Sequence, residues 1–149
     1  MSWQKLEVAA PELAVFGAAR LTQRIAYLAT IRVDGSPRVH PVSPFIGHGR
    51  LFVYMEPASP KGNDLRRDER YAMHCAVEDT TGGGGEFCVR GTAGLVEDPE
   101  TRSKAFDAAG TIGYKPNDRY ILFELDVEEA LATTYKDERP VRSRWRSGS

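Results

Sequence analysis

The stretch Ser59-Pro60-Lys61-Gly62-Asn63-Asp64-Leu65-Arg66-Arg67-Asp68 concentrates more potential chemistry than any other part of the chain. Serine followed by proline is the pattern of a helix start: Ser59 caps, and Pro60 takes a first-turn position where no N–H is needed. Such a start presents free backbone N–H groups and the positive end of the helix dipole, both of which favour an anion. Ser59 adds a hydroxyl and Lys61 a full charge in the first turn, so the segment outlines a phosphate site. The same residues would also make a solvated, charged surface helix, because caps of this kind are common.

A second group of residues lies upstream. Arg38 opens the run Arg38-Val39-His40-Pro41-Val42. Pro41 and Pro44 argue against a regular central strand and predict an irregular or edge strand with a bulge. Backbone groups left unpaired beside a guanidinium suit a planar, hydrogen-bonding ring that carries a phosphate. Arg38 and Lys61 are free to meet, since the chain between them folds back on itself.

Other reactive residue types form no constellation. His40, His48 and His74 have no metal-ligand spacing with Cys75 and Cys88. His48 reads as a turn residue and His74 as a packed one, and only His40 falls near the candidate site. Two separated cysteines inside apolar runs read as buried free thiols rather than a disulfide framework. The glycine run 82–85 lacks the Gly-Lys-Ser/Thr ending of a phosphate loop and reads as a flexible connection. Glu128-Glu129 looks like the surface of a polar, helix-like end. Arg66, Arg67 and Arg70 form a solvated basic face or hold the anionic tail of a coenzyme.

The elements that must position these groups follow from periodicity. Residues 11–22 have a helical pattern opened by Pro11. Residues 25–33 alternate, with Ile25, Tyr27, Ala29, Ile31 and Val33 on one face, and Asp34-Gly35 is a tight-turn signal leading into 37–46. With 51–55 these runs predict a three-stranded antiparallel meander. A short charged helix over 61–68 precedes a strand over 71–77, with Tyr71, Met73, Cys75 and Val77 on one face. Residues 87–96 form a fifth strand, in which Gly91 and Gly94 mark close backbone approach or a bend. A helix starting at Asp98 runs to about 109, and 119–127 is a sixth strand. The tail Arg142-Ser143-Arg144-Trp145-Arg146 reads as disordered. Six short antiparallel strands with three inserted helices, and with prolines and glycines inside strands, favour a barrel.

Bulk composition narrows the function. The chain has 149 residues, 20 Lys and Arg against 21 Asp and Glu, and a formal net charge of -1. That balance argues against nucleic acid or an anionic membrane as the main partner. No signal-peptide pattern and no membrane-length apolar run is present, so a cytoplasmic protein is expected.

Taken in order, these signs are similar to the pyridoxamine 5′-phosphate oxidase-like family of FMN-binding split barrels. The resemblance runs from 26 to 96: Tyr27-Leu28-Ala29-Thr30-Ile31, Asp34-Gly35-Ser36-Pro37, Arg38-Val39-His40-Pro41-Val42 and Leu51-Phe52-Val53-Tyr54-Met55. Ser59-Pro60-Lys61 with Asn63 and Leu65 follows, then Gly91-Thr92-Ala93 and the helix start at Asp98. It implies a six-stranded antiparallel split β-barrel over 1–140 with a tail over 141–149, a homodimer, and FMN at the subunit interface. Arg38, Lys61 and Ser59 would hold the phosphate, residues 39–42 would run along the ring, and Tyr54 and Met55 would line it. In catalytic members a C-terminal Trp and Arg approach the flavin or substrate, and Arg144-Trp145-Arg146 is the matching element here. The implied activity is an FMN-dependent oxidoreductase with a small-molecule substrate. The alternatives are a deazaflavin-dependent reductase and a non-catalytic flavin or haem binder in which His40 or His74 matters.

Overall fold

The structure is a computed structural model that describes residues 2–148. Its elements are α1 (Ser2–Ala9), α2 (Pro11–Leu21), β1 (Ala26–Ile31), β2 (Pro37–Val42), β3 (Phe45–Gly47), β4 (Arg50–Met55), α3 (Pro60–Arg67), β5 (Arg70–Cys75), β6 (Glu86–Leu95), α4 (Pro99–Thr111), β7 (Ile121–Lys136) and β8 (Arg139–Arg146). The predicted caps form: Ser59 Oγ accepts from Gly62 N–H at 3.2 Å, and Asp98 Oδ2 accepts from Thr101 N–H at 2.8 Å. The Asp34-Gly35 turn closes as expected, with Gly35 at φ 86° and Asp34 Oδ1 accepting from Ser36 N–H at 2.9 Å.

All strand pairs are antiparallel, in the order β2-β1-β5-β6-β7-β4-β3, and β8 adds to β7. The two edge strands of that path, β2 and β3, are consecutive in the chain and separated only by Ser43 and Pro44. The sheet therefore curls until its edges meet at a covalent seam rather than a hydrogen-bonded one, giving a split barrel. β7 is its spine. β6 runs along one side of it, while β4 at residues 121–124 and β8 at residues 129–136 share the other. In the fork between them, Val127 N–H donates to Ser2 Oγ at 2.7 Å, so α1 supplies the acceptor that a neighbouring strand would otherwise provide.

The barrel interior is one apolar cluster that includes Trp3, Leu28, Met55, Leu65, Met73, Phe87 and Leu125. Trp3 and Phe16 meet Phe87 edge-on, at centroid distances of 6.2 and 6.4 Å. A second cluster, with Phe45, Phe52, Ala105, Ala108 and Leu122, fixes α4 to β3 and β4.

Several expectations are corrected. The described residues form eight strands instead of six. Pro44 lies outside the ladder, so residues 37–46 divide into β2, which pairs β1, and β3, which pairs β4; the first half is not a continuous meander. On β1 the set containing Tyr27, Ala29 and Ile31 lies on the outer face, and Ala26, Leu28 and Thr30 face the core. The tail is not disordered: β7 offers it an open edge, and Trp145 packs against the core cluster. Glu128-Glu129 lies inside β7, not at a helix end. Cys75 is a buried free thiol, but Cys88 faces outward and is only half-buried. Val77 falls beyond β5 and is exposed.

Gly91 and Gly94 behave differently. The β6–β7 register shifts between Arg90 and Gly91, and a Cβ on Gly91 would lie 2.0 Å from the Asp126 carbonyl oxygen. A Cβ on Gly94 would meet nothing within 4 Å. Gly91→Ala is therefore expected to cost about 1–3 kcal/mol by overpacking against backbone, and Gly94→Ala to change stability far less. Urea unfolding of the two variants checks this, and equal stabilities would contradict the close approach.

Candidate functional site

Asp64 is the electrostatic centre of the site. Its side chain is almost fully buried and accepts from Thr30 Oγ1 at 2.7 Å, Arg38 Nε at 2.7 Å and Arg67 Nη2 at 3.4 Å. Three separate elements converge on one carboxylate: Thr30 from β1, Arg38 from β2 and Arg67 from α3 itself. Thr30 and Arg38 are register partners across the β1–β2 hairpin. Arg67 also donates to the Ile31 carbonyl, which ties the end of α3 to the end of β1. Burial works against ionisation of Asp64, but the Arg38 and Thr30 hydrogen bonds and the Arg38 charge outweigh it and hold its carboxyl below the ordinary value.

Lys61 lies one turn earlier on α3. It is half-buried, and its ammonium has no hydrogen-bond or ion-pair partner among the described residues. Burial lowers its pKa from the ordinary value of 10.5. Ser59, itself buried, uses its oxygen as the α3 cap, and its hydroxyl proton stays free to donate. Arg38 uses only Nε on Asp64; its two Nη groups make no hydrogen bond to a described residue.

β2 supplies an edge. The Arg32 N–H bond to the Ser36 carbonyl sets the parity of the hairpin. Residues 38, 40 and 42 therefore turn their backbone groups to β1, and Pro37, Val39 and Pro41 turn theirs outward. Both prolines occupy positions where a missing N–H costs no ladder bond. The outward edge keeps one donor, Val39 N–H, among three carbonyls. Arg38 and His40 are half-buried on the inner face, Val42 is in the core, and Val39 and Pro41 are exposed.

The remaining expected residues sit deeper. Tyr54 is half-buried and stacks on Phe45 at 5.3 Å with an interplanar angle of 13°, and burial raises its pKa. Met55 is buried beneath α3, with its sulfur 3.2 Å from where a Gly62 Cβ would stand, so it supports the helix start from below. His74 is already engaged, with Nδ1 2.6 Å from the Cys75 carbonyl and Nε2 3.6 Å from Glu86. Among the described residues no group of His, Cys, Asp and Glu could hold a metal ion, and no helix is long and apolar enough to cross a membrane.

The structure thus brings Arg38 to the helix that carries Lys61 and Ser59. Asp64 and Thr30, which organise that meeting, are absent from the sequence-based site. The Asp34-Gly35 turn does fix the register that sets Thr30 opposite Arg38, and Asp64 follows Lys61 by three residues, so both signals were present in the pattern.

These elements define a small split β-barrel with a capped, cationic helix start beside an open strand edge. Residues 16–134 match the family model for pyridoxamine 5′-phosphate oxidase, and the chain belongs to that family. Among curated proteins no sequence matches it. Similar solved structures include Rv2991 from Mycobacterium tuberculosis, 19% identical with a TM-score of 0.67 over 82% of each chain. A haem-binding protein from Mycobacterium smegmatis is 19% identical with a TM-score of 0.65, over 86% of this chain and 55% of that one. PhzG from Burkholderia lata, in complex with tetrahydrophenazine-1-carboxylic acid, is 17% identical with a TM-score of 0.66, over 97% of this chain and 87% of that one. At these identities the likeness is one of fold.

Asp64→Asn is expected to destabilise the protein by about 1–3 kcal/mol at neutral pH, because it leaves charged donors without their anion. The folded-state pKa of Asp64 lies below its ordinary value of 3.8. Its contribution is therefore complete above that value and is lost as pH falls through the folded pKa. The gap between wild type and variant should be constant near neutrality and close in acid. Urea titrations across pH measure it, and a gap that widens in acid would contradict the assignment.

Proposed function

We propose that the chain is a cytoplasmic FMN-dependent oxidoreductase that acts as a homodimer on a small molecule, with FMN at the subunit interface. The observation that carries this reading is Lys61: a half-buried ammonium without a partner among the described residues, in the first turn of the capped helix α3. A phosphate supplies the charge that this position lacks. The Nη groups of Arg38 and the Ser59 hydroxyl complete the donor set. The outer edge of β2, with Val39 N–H between carbonyls, suits the mixed donors and acceptors of a flavin ring along residues 39–42. Behind this edge Tyr54 stacks on Phe45, and Met55 supports the start of α3 from below. FMN, when bound, supplies hydride and electron transfer, while the protein supplies position and field.

The outer sheet face supports the dimer. Tyr27 and Val39 are 46% and 63% exposed on it, and Ala29 and Ala72 form a register pair beside them. A regular apolar face of this kind is a natural surface for a second copy. Arg144 and Arg146 lie on the same side of the sheet, paired in register with Leu131 and Glu129. Two free cysteines fit a reducing compartment.

The absorption spectrum of the purified protein, with mass spectrometry of whatever heat releases, tests the coenzyme. Flavin bands with released FMN are expected. A Soret band, or binding of a deazaflavin in preference to FMN, would overturn the assignment. Lys61→Ala should weaken FMN binding by about 1.5–3 kcal/mol through loss of a charge-assisted contact, and unchanged affinity removes Lys61 from the site. Light scattering should give the mass of a dimer; a monomer that retains FMN would contradict an interfacial site.

A further inference from the structure

We propose that the cavity at the barrel seam binds a planar aromatic carboxylate, and that this is the substrate class of the flavin site; the second half of that statement rests on the FMN reading. The cavity has a volume of about 380 Å³, within the range of small-molecule sites. Three segments wall it: residues 23–25 between α2 and β1, residues 43–45 at the seam, and residues 112–114 after α4. It lies next to β2 in the chain, since Ser43 directly follows Val42.

Two aromatic rings and several aliphatic side chains make up much of the wall. Phe45 and Tyr114 meet edge-on at 6.2 Å, and Tyr54 stacks behind Phe45. Ile25, Pro44 and Ile112 complete the lining. Ile25 is 45% exposed although it is a large apolar residue at the mouth. Neither Tyr114 nor Ser43 has a hydrogen-bond partner for its hydroxyl among the described residues. The rim is latched: Gln23 follows the end of α2 at φ 55°, and its Nε2 donates to the Ile112 carbonyl at 2.9 Å, tying the end of α4 to the end of α2.

The charge at the rim selects an anion. Arg24 is the charged residue that lines the cavity. Its partner is Glu78 at 3.7 Å, but Glu78 already takes Arg20 at 3.2 Å. Two guanidinium groups share one carboxylate, which leaves a net positive charge on half-exposed Arg24. Among the described residues no carboxylate lines the cavity. An aromatic body fits the walls, and a carboxylate fits Arg24 and the Ser43 hydroxyl.

The test uses the full chain, with and without FMN, titrated with 2-naphthoate and with neutral 2-naphthalenemethanol. One-site saturable binding of 2-naphthoate is expected, with the alcohol at least about tenfold weaker, as loss of a charge-assisted contact implies. Arg24→Gln should bring 2-naphthoate down to the affinity of the alcohol. Ile25→Trp, at an exposed position, should block both, with circular dichroism confirming its fold. With FMN bound, 2-naphthoate should shift the flavin absorption bands. Absence of saturable binding, or unchanged affinity in Arg24→Gln or in a folded Ile25→Trp, overturns the cavity assignment. Binding of 2-naphthoate by a chain that takes up no FMN upholds the cavity and overturns the flavin reading. FMN uptake with unperturbed bands on saturation overturns the link between cavity and flavin.

Discussion

A carboxylate taken out of water must be repaid in hydrogen bonds, and Asp64 meets that demand by drawing on β1, β2 and α3 together. The arrangement has a structural consequence. The helix that carries Lys61 cannot rotate without breaking its contact to Arg38, and β2 cannot slide along β1 without losing the Thr30–Arg38 register at the same carboxylate. One buried charge thus fixes the angle between the capped start of α3 and an open strand edge. The cationic groups around it are divided in purpose. Arg67 and the Nε of Arg38 neutralise Asp64, while Lys61 and the Nη groups of Arg38 remain available.

The scaffold around this joint depends on β7. A single long strand serves two neighbours on one side, and that is what splits the barrel. The fork would leave β7 backbone groups without ladder partners, and the Ser2 hydroxyl takes the Val127 N–H there. The bulge at Gly91 lies on the opposite side of β7 at nearly the same level, so both irregularities are confined to one band across the sheet. The two apolar clusters are separate because they lie on opposite faces of β4 and β7, with Leu51, Val53, Phe123 and Leu125 facing one and Phe52 and Leu122 the other.

Much of this was legible in the sequence. The caps at Ser59 and Asp98, the Asp34-Gly35 turn, the edge character of 37–42 and the inward face of 71–75 all follow from local rules that the structure obeys. What escaped depends on partners distant in sequence. β8 has no apolar alternation of its own and exists because β7 presents an edge and the core accepts Trp145. The hydroxyl of Ser2 gains its role only when the fork lies above it. Asp64 reads as one more charge on a polar helix until Thr30 and Arg38 arrive. Met55 looks like a wall residue by its position beside Tyr54, yet strand alternation turns it beneath α3.

The prolines of β2 carry a consequence for solubility. An exposed sheet edge is normally a template on which another strand zips up, and chains that leave one open tend to aggregate. Along the outer edge of β2 an incoming strand would find one N–H donor at Val39, with none at Pro37 or Pro41. Such a ladder fails after a single rung. The edge therefore rejects a polypeptide while its single donor and its carbonyls stay exposed, so resistance to fibril growth and an open strand edge come from the same two imino acids.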